Sequence, residues 1–141
     1  MYEKILLPID LDALEMGERS IAVAKALCNE RKQAKIRLII VQPLVPVSVL
    51  GYLPPNFDDE LQKDSEKKLS EISGGAPFPP EALSTVVRYG AVYPEVLAEA
   101  EDWGADLIIV GSHRPGITTY LLGSSAAAIV RHAKCSVLVV R

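Results

Sequence analysis

The sequence predicts an α/β fold: a parallel sheet with helices on both faces, built as one domain over residues 1–141. Three observations predict it. Short runs apolar on both faces, such as Lys4–Ile9, Ile36–Val41 and Leu107–Gly111, read as buried parallel strands. Longer stretches between them carry apolar residues at helical spacing. The two kinds alternate strictly along the chain, which calls for right-handed crossovers and a two-sided sheet.

Taken in order, Lys4–Ile9 is the first strand, ended by Pro8 and Asp10. Leu11–Met16 is a turn and helix entry with Asp12 as candidate N-cap, and Leu14–Arg31 is a helix with Leu14, Ile21, Ala24, Leu27 and Cys28 inward. Ile36–Val41 is the second strand. Gln42–Pro55 holds Pro43, Pro46, Pro54 and Pro55 and reads as a long ordered loop. Phe57, Leu61, Leu69 and Ile72 mark one face of a charged helix whose first turn holds Asp58, Asp59 and Glu60, where the dipole favours acids. Gly74 and Gly75 stop it, and Pro79-Pro80 enforce a loop. Leu83–Tyr89 is the third strand, broken by Gly90. Pro94 helps open a helix with Val96, Leu97, Ala100 and Trp103 inward, capped by Gly104. Asp106–Gly111 is the fourth strand, Ser124–Ala133 the fourth helix and Ser136–Val140 the fifth strand.

Composition narrows the function classes. Apolar residues make up 49% and charged residues 23%, an ordinary globular balance, and a net charge of −3 with pI near 5.4 leaves no basic face for duplex nucleic acid. Cys28 and Cys135 are far apart and outside any CxxC, so they read as small buried residues in a reducing compartment. The opening MYEKILLPID is expected to be neither signal peptide nor membrane span, so a soluble, cytoplasmic protein with no membrane partner is expected.

The chemistry concentrates in Leu107–Val130, LIIVGSHRPGITTYLLGSSAAAIV. A strand ends at Gly111, an arginine-bearing loop follows, and Gly123-Ser124-Ser125 opens an alanine-rich helix. Such a corner holds phosphate, because glycine admits close backbone approach and a new helix offers free N–H groups and a positive dipole end. Ligands of open α/β sheets sit beyond the carboxyl ends of the strands, where strand order reverses. The first and fourth strands are expected to be neighbours there. Their ends bring Pro8-Ile9-Asp10 beside Val110-Gly111-Ser112-His113, and Val41 at the end of the second strand can wall an adenine. There is no GxxxxGK[ST], no GxGxxG after the first strand, no GxSxG, no HExxH and no paired CxxC. No catalytic residue is assigned.

GSHRPGITTYLLGSS, VRHAKCSVLVVR and the opening KILLPID together resemble the universal stress proteins, closest to the branch with arginine-proline in the loop. The resemblance covers the whole chain; its first and last segments are specific and its middle is generic. It implies a five-stranded sheet of order 3-2-1-4-5, Rossmann-like and akin to the adenine nucleotide alpha hydrolases. Nucleotide-binding members carry a glycine, two residues, a second glycine, nine residues, then glycine-serine or glycine-threonine. Gly111 and Gly123-Ser124 match the ends; Arg114 replaces the middle glycine, and the second spacing is eight residues. An arginine there can offer phosphates a fork of donors. By resemblance, Pro8, Ile9 and Asp10 line the nucleotide, Val41 and Val110 touch adenine, and Gly111, His113 and Arg114 border ribose and phosphates. Gly123, Ser124, Ser125 and Ala126 cradle the phosphates, with ATP and Mg²⁺ as cofactors. Family members are often homodimers paired through the last strand, and Ser136–Val140 as an exposed apolar edge needs covering in its own right.

Structural roles stand beside these. Asp10 can cap the first helix or solvate a turn, Ser124 and Ser125 are good N-caps with or without a ligand, and His113 lacks a partner acid in sequence. His132 fits a helix C-terminus and Trp103 fits packing. Three readings follow in rank order: a small ATP-binding regulatory protein, a non-nucleotide dimeric interaction module of the same fold, and a slow ATPase or self-phosphorylating protein.

Overall fold

The computed structural model describes residues 2–28, 34–112 and 123–141. Its sheet has the order β3-β2-β1-β4-β5, all parallel, as the resemblance implies. The strands are β1 (Lys4–Pro8), β2 (Lys35–Gln42), β3 (Leu83–Tyr89), β4 (Leu107–Gly111) and β5 (Ser136–Val140). The helices are α1 (Leu14–Leu27), the single turn α2 (Val47–Leu50), α3 (Phe57–Gly75), α4 (Val92–Trp103) and α5 (Ser124–His132).

The two-sided apolar runs divide cleanly between two cores. Ile5 and Leu7 of β1, Ile36, Leu38 and Ile40 of β2, and Leu107 and Ile109 of β4 face α1 and α3, where they meet Ile21, Ala24 and Leu69. Leu6, Ile39, Ile108 and Val110 face the other way onto Val96 and Ala100 of α4 and Ala126 and Ile129 of α5. The alternation is the two-residue period of a strand, and burial on both faces explains why these runs lack polar positions. Arg37 is the exception inside β2. Its guanidinium lies 4.5 Å from the centre of the Trp103 ring and donates to Glu99 Oε1 at 2.7 Å. Arg88 of β3 reaches the other oxygen, Glu99 Oε2, at 2.8 Å, so one buried carboxylate ties α4 to two strands.

Chain punctuation differs in places from local preference. Asp12 does not cap α1: the N-cap is Ala13, and Asp10 Oδ1 instead accepts from the Asp12 N–H at 2.9 Å in the preceding turn. Ser124 and Ser125 are the first two residues of α5 and Gly123 is its N-cap. Leu14 is half exposed because α1 has only just begun there. Helix α3 runs through Gly74 and Gly75, while Gly104 ends α4 in the left-handed region at φ 80°, as its sequence position suggests. The expected proline loop contains the turn α2. Cys28 and Cys135 are free and only half-buried. Among the described residues, no helix is long and apolar enough to cross a membrane.

Candidate functional site

A cleft of about 580 Å³ opens at the carboxyl edge of the sheet. Its position follows from topology. The connection after β1 leads to α1 on one face, and α5 lies after β4 on the other, so a crevice is left between the ends of β1 and β4. Pro8, Ile9, Asp10, Val41, Val110, Gly111, Gly123, Ser124, Ser125 and Ala126 all line this one cleft. Residues from three distant stretches are thus brought together as the sequence suggests. His113 and Arg114 lie outside the described residues.

The two ends of the cleft differ in chemistry. One is polar. Gly123 N donates to Ser112 O at 3.3 Å, which draws the two ends of the intervening segment together, and Ala127 N to Gly123 O at 2.8 Å starts α5. Among the described residues no side chain caps the α5 N-terminus. Its first N–H groups, which have no partner within a helix, therefore open on the cleft beside Ser124, Ser125 and Asp10. Among the described residues, a Cβ built on Gly123 meets nothing closer than Ser112 O at 4.0 Å.

The other end is apolar and has one ordered pair of backbone groups. Ile9 N donates to Ile39 O at 2.8 Å, and Gly90 N donates to Gln42 O at 2.9 Å. Alternate residues of β2 therefore turn their peptide groups toward β1 and toward β3, and Val41 belongs with Ile39 on the β1 side. The β1 ladder stops at Pro8 opposite Ile39. Among the described residues nothing follows it to meet the Val41 N–H and C=O, which face into the crevice.

Three groups of cleft residues were not expected from the sequence. Ala13, Met16 and Gly17 come from the start of α1, Gln42 and Pro43 from the chain leaving β2, and Val92 and Val96 from α4. The last pair arrives because α4 joins β3 to β4 and must pass over β2 and β1. Strand order would have exposed this; a window of sequence does not. Gln42 also donates to Ser65 Oγ of α3 at 2.6 Å, which holds its side chain on the α3 face. His132 ends α5 and stacks on Tyr93, with ring centroids 5.9 Å apart, away from any role in the polar corner. Among the described residues no group of three His, Cys, Asp or Glu side chains is placed to hold a metal ion.

The comparisons with known proteins agree with this architecture. The whole chain, residues 1–141, matches the universal stress protein family. Universal stress protein G of Salmonella typhimurium is 35% identical over 144 residues, with all of both chains covered. A hypothetical protein solved for structure-based assignment of its biochemical function superposes with a TM-score of 0.81 at 26% identity, covering 99% of this chain and 96% of that one. A universal stress protein solved in complex with cAMP superposes at 0.57 with 23% identity, covering 99% of this chain and 97% of that one. The family match over the full length and the identity to a full-length relative leave one conclusion: the chain belongs to the universal stress protein family.

Proposed function

We propose that this protein is a small cytoplasmic regulatory protein that binds ATP in the cleft beyond β1 and β4. The observation that carries the reading is the start of α5, which no described side chain caps, opening on the cleft at Gly123, where no described atom comes closer than 4.0 Å to a Cβ position. Unpaired N–H groups at a helix N-terminus favour an anion, and phosphate oxygens match them in charge and geometry. Ser124 and Ser125 add hydroxyls, and Pro8, Ile9 and Asp10 close the β1 side. The apolar end takes the base. Adenine presents an amino donor and a ring-nitrogen acceptor side by side, which the Val41 C=O and N–H complement; guanine presents a carbonyl where adenine has the amino group. Val110 supplies an apolar wall. The volume is in the usual range for small-molecule sites, roughly 300–1,000 Å³.

Magnesium enters with the phosphates in this reading. Asp10 and Asp12 are the carboxylates lining the cleft, and an octahedral ion that keeps several waters needs only one or two of them. The bound ion would neutralise phosphate charge. That a universal stress protein of this fold is solved with cAMP supports an adenine nucleotide in such a cleft. His113 and Arg114 complete the proposed set beside the ribose and phosphates. We also propose a homodimer through the free edge of β5, which terminates the sheet.

Calorimetric titration with ATP–Mg²⁺, with GTP–Mg²⁺ in parallel, tests the site. Heat and a rise in Tm with ATP, and a weaker response to GTP, are expected. No heat and no thermal shift at millimolar ATP would sink it. Mass spectrometry of any small molecule released from freshly purified protein gives an independent answer.

A further inference from the structure

The chain from β2 to α3, residues 43–56, contains no Asp, Glu, Lys, Arg or His. An exposed segment of that length ordinarily carries charge. Here Leu44 is 71%, Val47 84% and Tyr52 89% exposed, and α2 buries none of its residues. Its backbone bonds are its own: Val49 N to Pro46 O at 3.0 Å, Tyr52 N to Val49 O at 3.1 Å and Leu53 N to Leu50 O at 3.4 Å. Among the described residues no backbone hydrogen bond ties it to the sheet. The prolines at 43, 46, 54 and 55 stiffen both ends. The segment is a flap that leaves Leu44, Val47, Val49, Leu50 and Tyr52 exposed.

Its place in the chain says what those side chains are for. The flap leaves β2 directly after Val41 and Gln42, and its first residue, Pro43, itself lines the cleft. Leu44 is the next residue. Across the mouth, Val92 lines the same cleft and is 42% exposed. The cleft entrance thus has unpaired apolar groups on both sides, at the end where the base is placed.

We infer that residues 44–53 form a lid that lays Leu44 and Val47 over the base of a bound adenine nucleotide. This rests on the nucleotide reading of the cleft. The lid closes with ligand, because a bound base adds an apolar face beside Val92 at the mouth for these side chains to cover. Closure removes water from the polar contacts beneath and strengthens them. It also withdraws the apolar patch from the surface, so nucleotide controls whether that patch is available to other molecules.

The test is hydrogen–deuterium exchange of residues 44–53 in the full chain, with and without ATP–Mg²⁺, with saturation verified by calorimetry on the same sample. Slower exchange with ATP is expected, together with slower chymotryptic cleavage after Leu50 and Tyr52. The double variant Leu44→Ser, Val47→Ser changes two exposed side chains, so its fold and Tm are retained. Serine also adds no charge to repel phosphate. Its ATP affinity is expected to fall roughly tenfold, with loss of the protection. Unchanged exchange in wild-type protein at saturating ATP, or unchanged affinity in the double variant, overturns the lid and leaves the nucleotide site standing. Absence of ATP binding to the wild type overturns both. Protection without ATP that grows with protein concentration assigns the patch to a second copy and overturns the lid.

Discussion

Met16 of α1 fills the space that a side chain at Gly111 would need: a Cβ there would lie 3.1 Å from Met16 Cε and 3.2 Å from Met16 Cβ. Helix–strand packing therefore favours glycine at 111 whatever lies in the cleft, because a larger residue would make Met16 give way by a few tenths of an ångström. Gly111→Ala is expected to lower stability by about 1 kcal/mol, the lower end of overpacking costs. In a Met16→Ala background the same change should cost less, because the Cε contact at 3.1 Å is gone while the Cβ contact at 3.2 Å stays. Urea denaturation of the two single variants and the double variant checks this. Strict additivity would show that the two side chains do not compete for one space.

Gly123 offers the opposite case on the same strand–loop–helix unit. Its φ of −57° and ψ of 152° suit any residue, and a Cβ there would touch nothing closer than 4.0 Å. The described residues alone give no reason for glycine. Gly123→Val should leave stability within about 0.5 kcal/mol of wild type, as for an unconstrained surface change. ATP binding should fall by at least roughly tenfold, because the side chain occupies the corner assigned to phosphate. Wild-type affinity in this variant would refute the placement of the phosphates.

Glu99 makes stability depend on pH. Burial alone would raise its pKa, but hydrogen bonds and charges from Arg37 and Arg88 overcome that and hold the carboxyl below its ordinary value. A carboxyl whose folded pKa is depressed stabilises the fold at pH values above its unfolded pKa. That contribution is lost as pH falls through the folded pKa. Stability should therefore decline on acidification below about pH 4.3, where an unfolded glutamate begins to bind its proton. Glu99→Gln should flatten this decline and cost roughly 2–3 kcal/mol at neutral pH. That lies below the cost of breaking a fully buried pair, because each arginine keeps a quarter of its side chain in water. Chemical denaturation from pH 3 to pH 7 measures both, and a Glu99→Gln profile parallel to wild type would remove Glu99 as the source.

The sheet and much of the cleft were legible because their signals are local. Strands such as Ile5–Leu7 and Ile108–Val110 are apolar on consecutive positions, and only burial on both faces requires that. Strand ends then place Asp10, Val41 and Gly111 at one edge without further information. What escaped was set by contacts between distant parts of the chain. Nothing near Gly111 in sequence announces Met16, and nothing near Val92 announces that α4 passes over β1. The caps failed for another reason. Asp12, Ser124 and Ser125 are residues that cap helices well, yet Ala13 and Gly123 take those positions. At the α5 entrance this leaves backbone donors without a capping side chain among the described residues.

Ser112 N donates to Val140 O at 2.8 Å, so Val140 turns its peptide groups toward β4, and with it Leu138. Val137 and Val139 belong to the other parity, and their N–H and C=O face outward from the last strand of the sheet. An edge with free donors and acceptors on an apolar strand is a template for a second copy. Proline at position 139 removes an outward N–H and spares the β4 ladder, whereas proline at 138 removes an inward one. Val139→Pro should therefore abolish the dimer proposed for the wild type, as read by sedimentation of both proteins, while the far-ultraviolet circular dichroism is retained. Leu138→Pro should unfold the sheet edge and reduce that signal. A Val139→Pro protein that still sediments as a dimer would place the interface elsewhere on the surface, because strand pairing through β5 cannot survive loss of that donor without a measurable change in association.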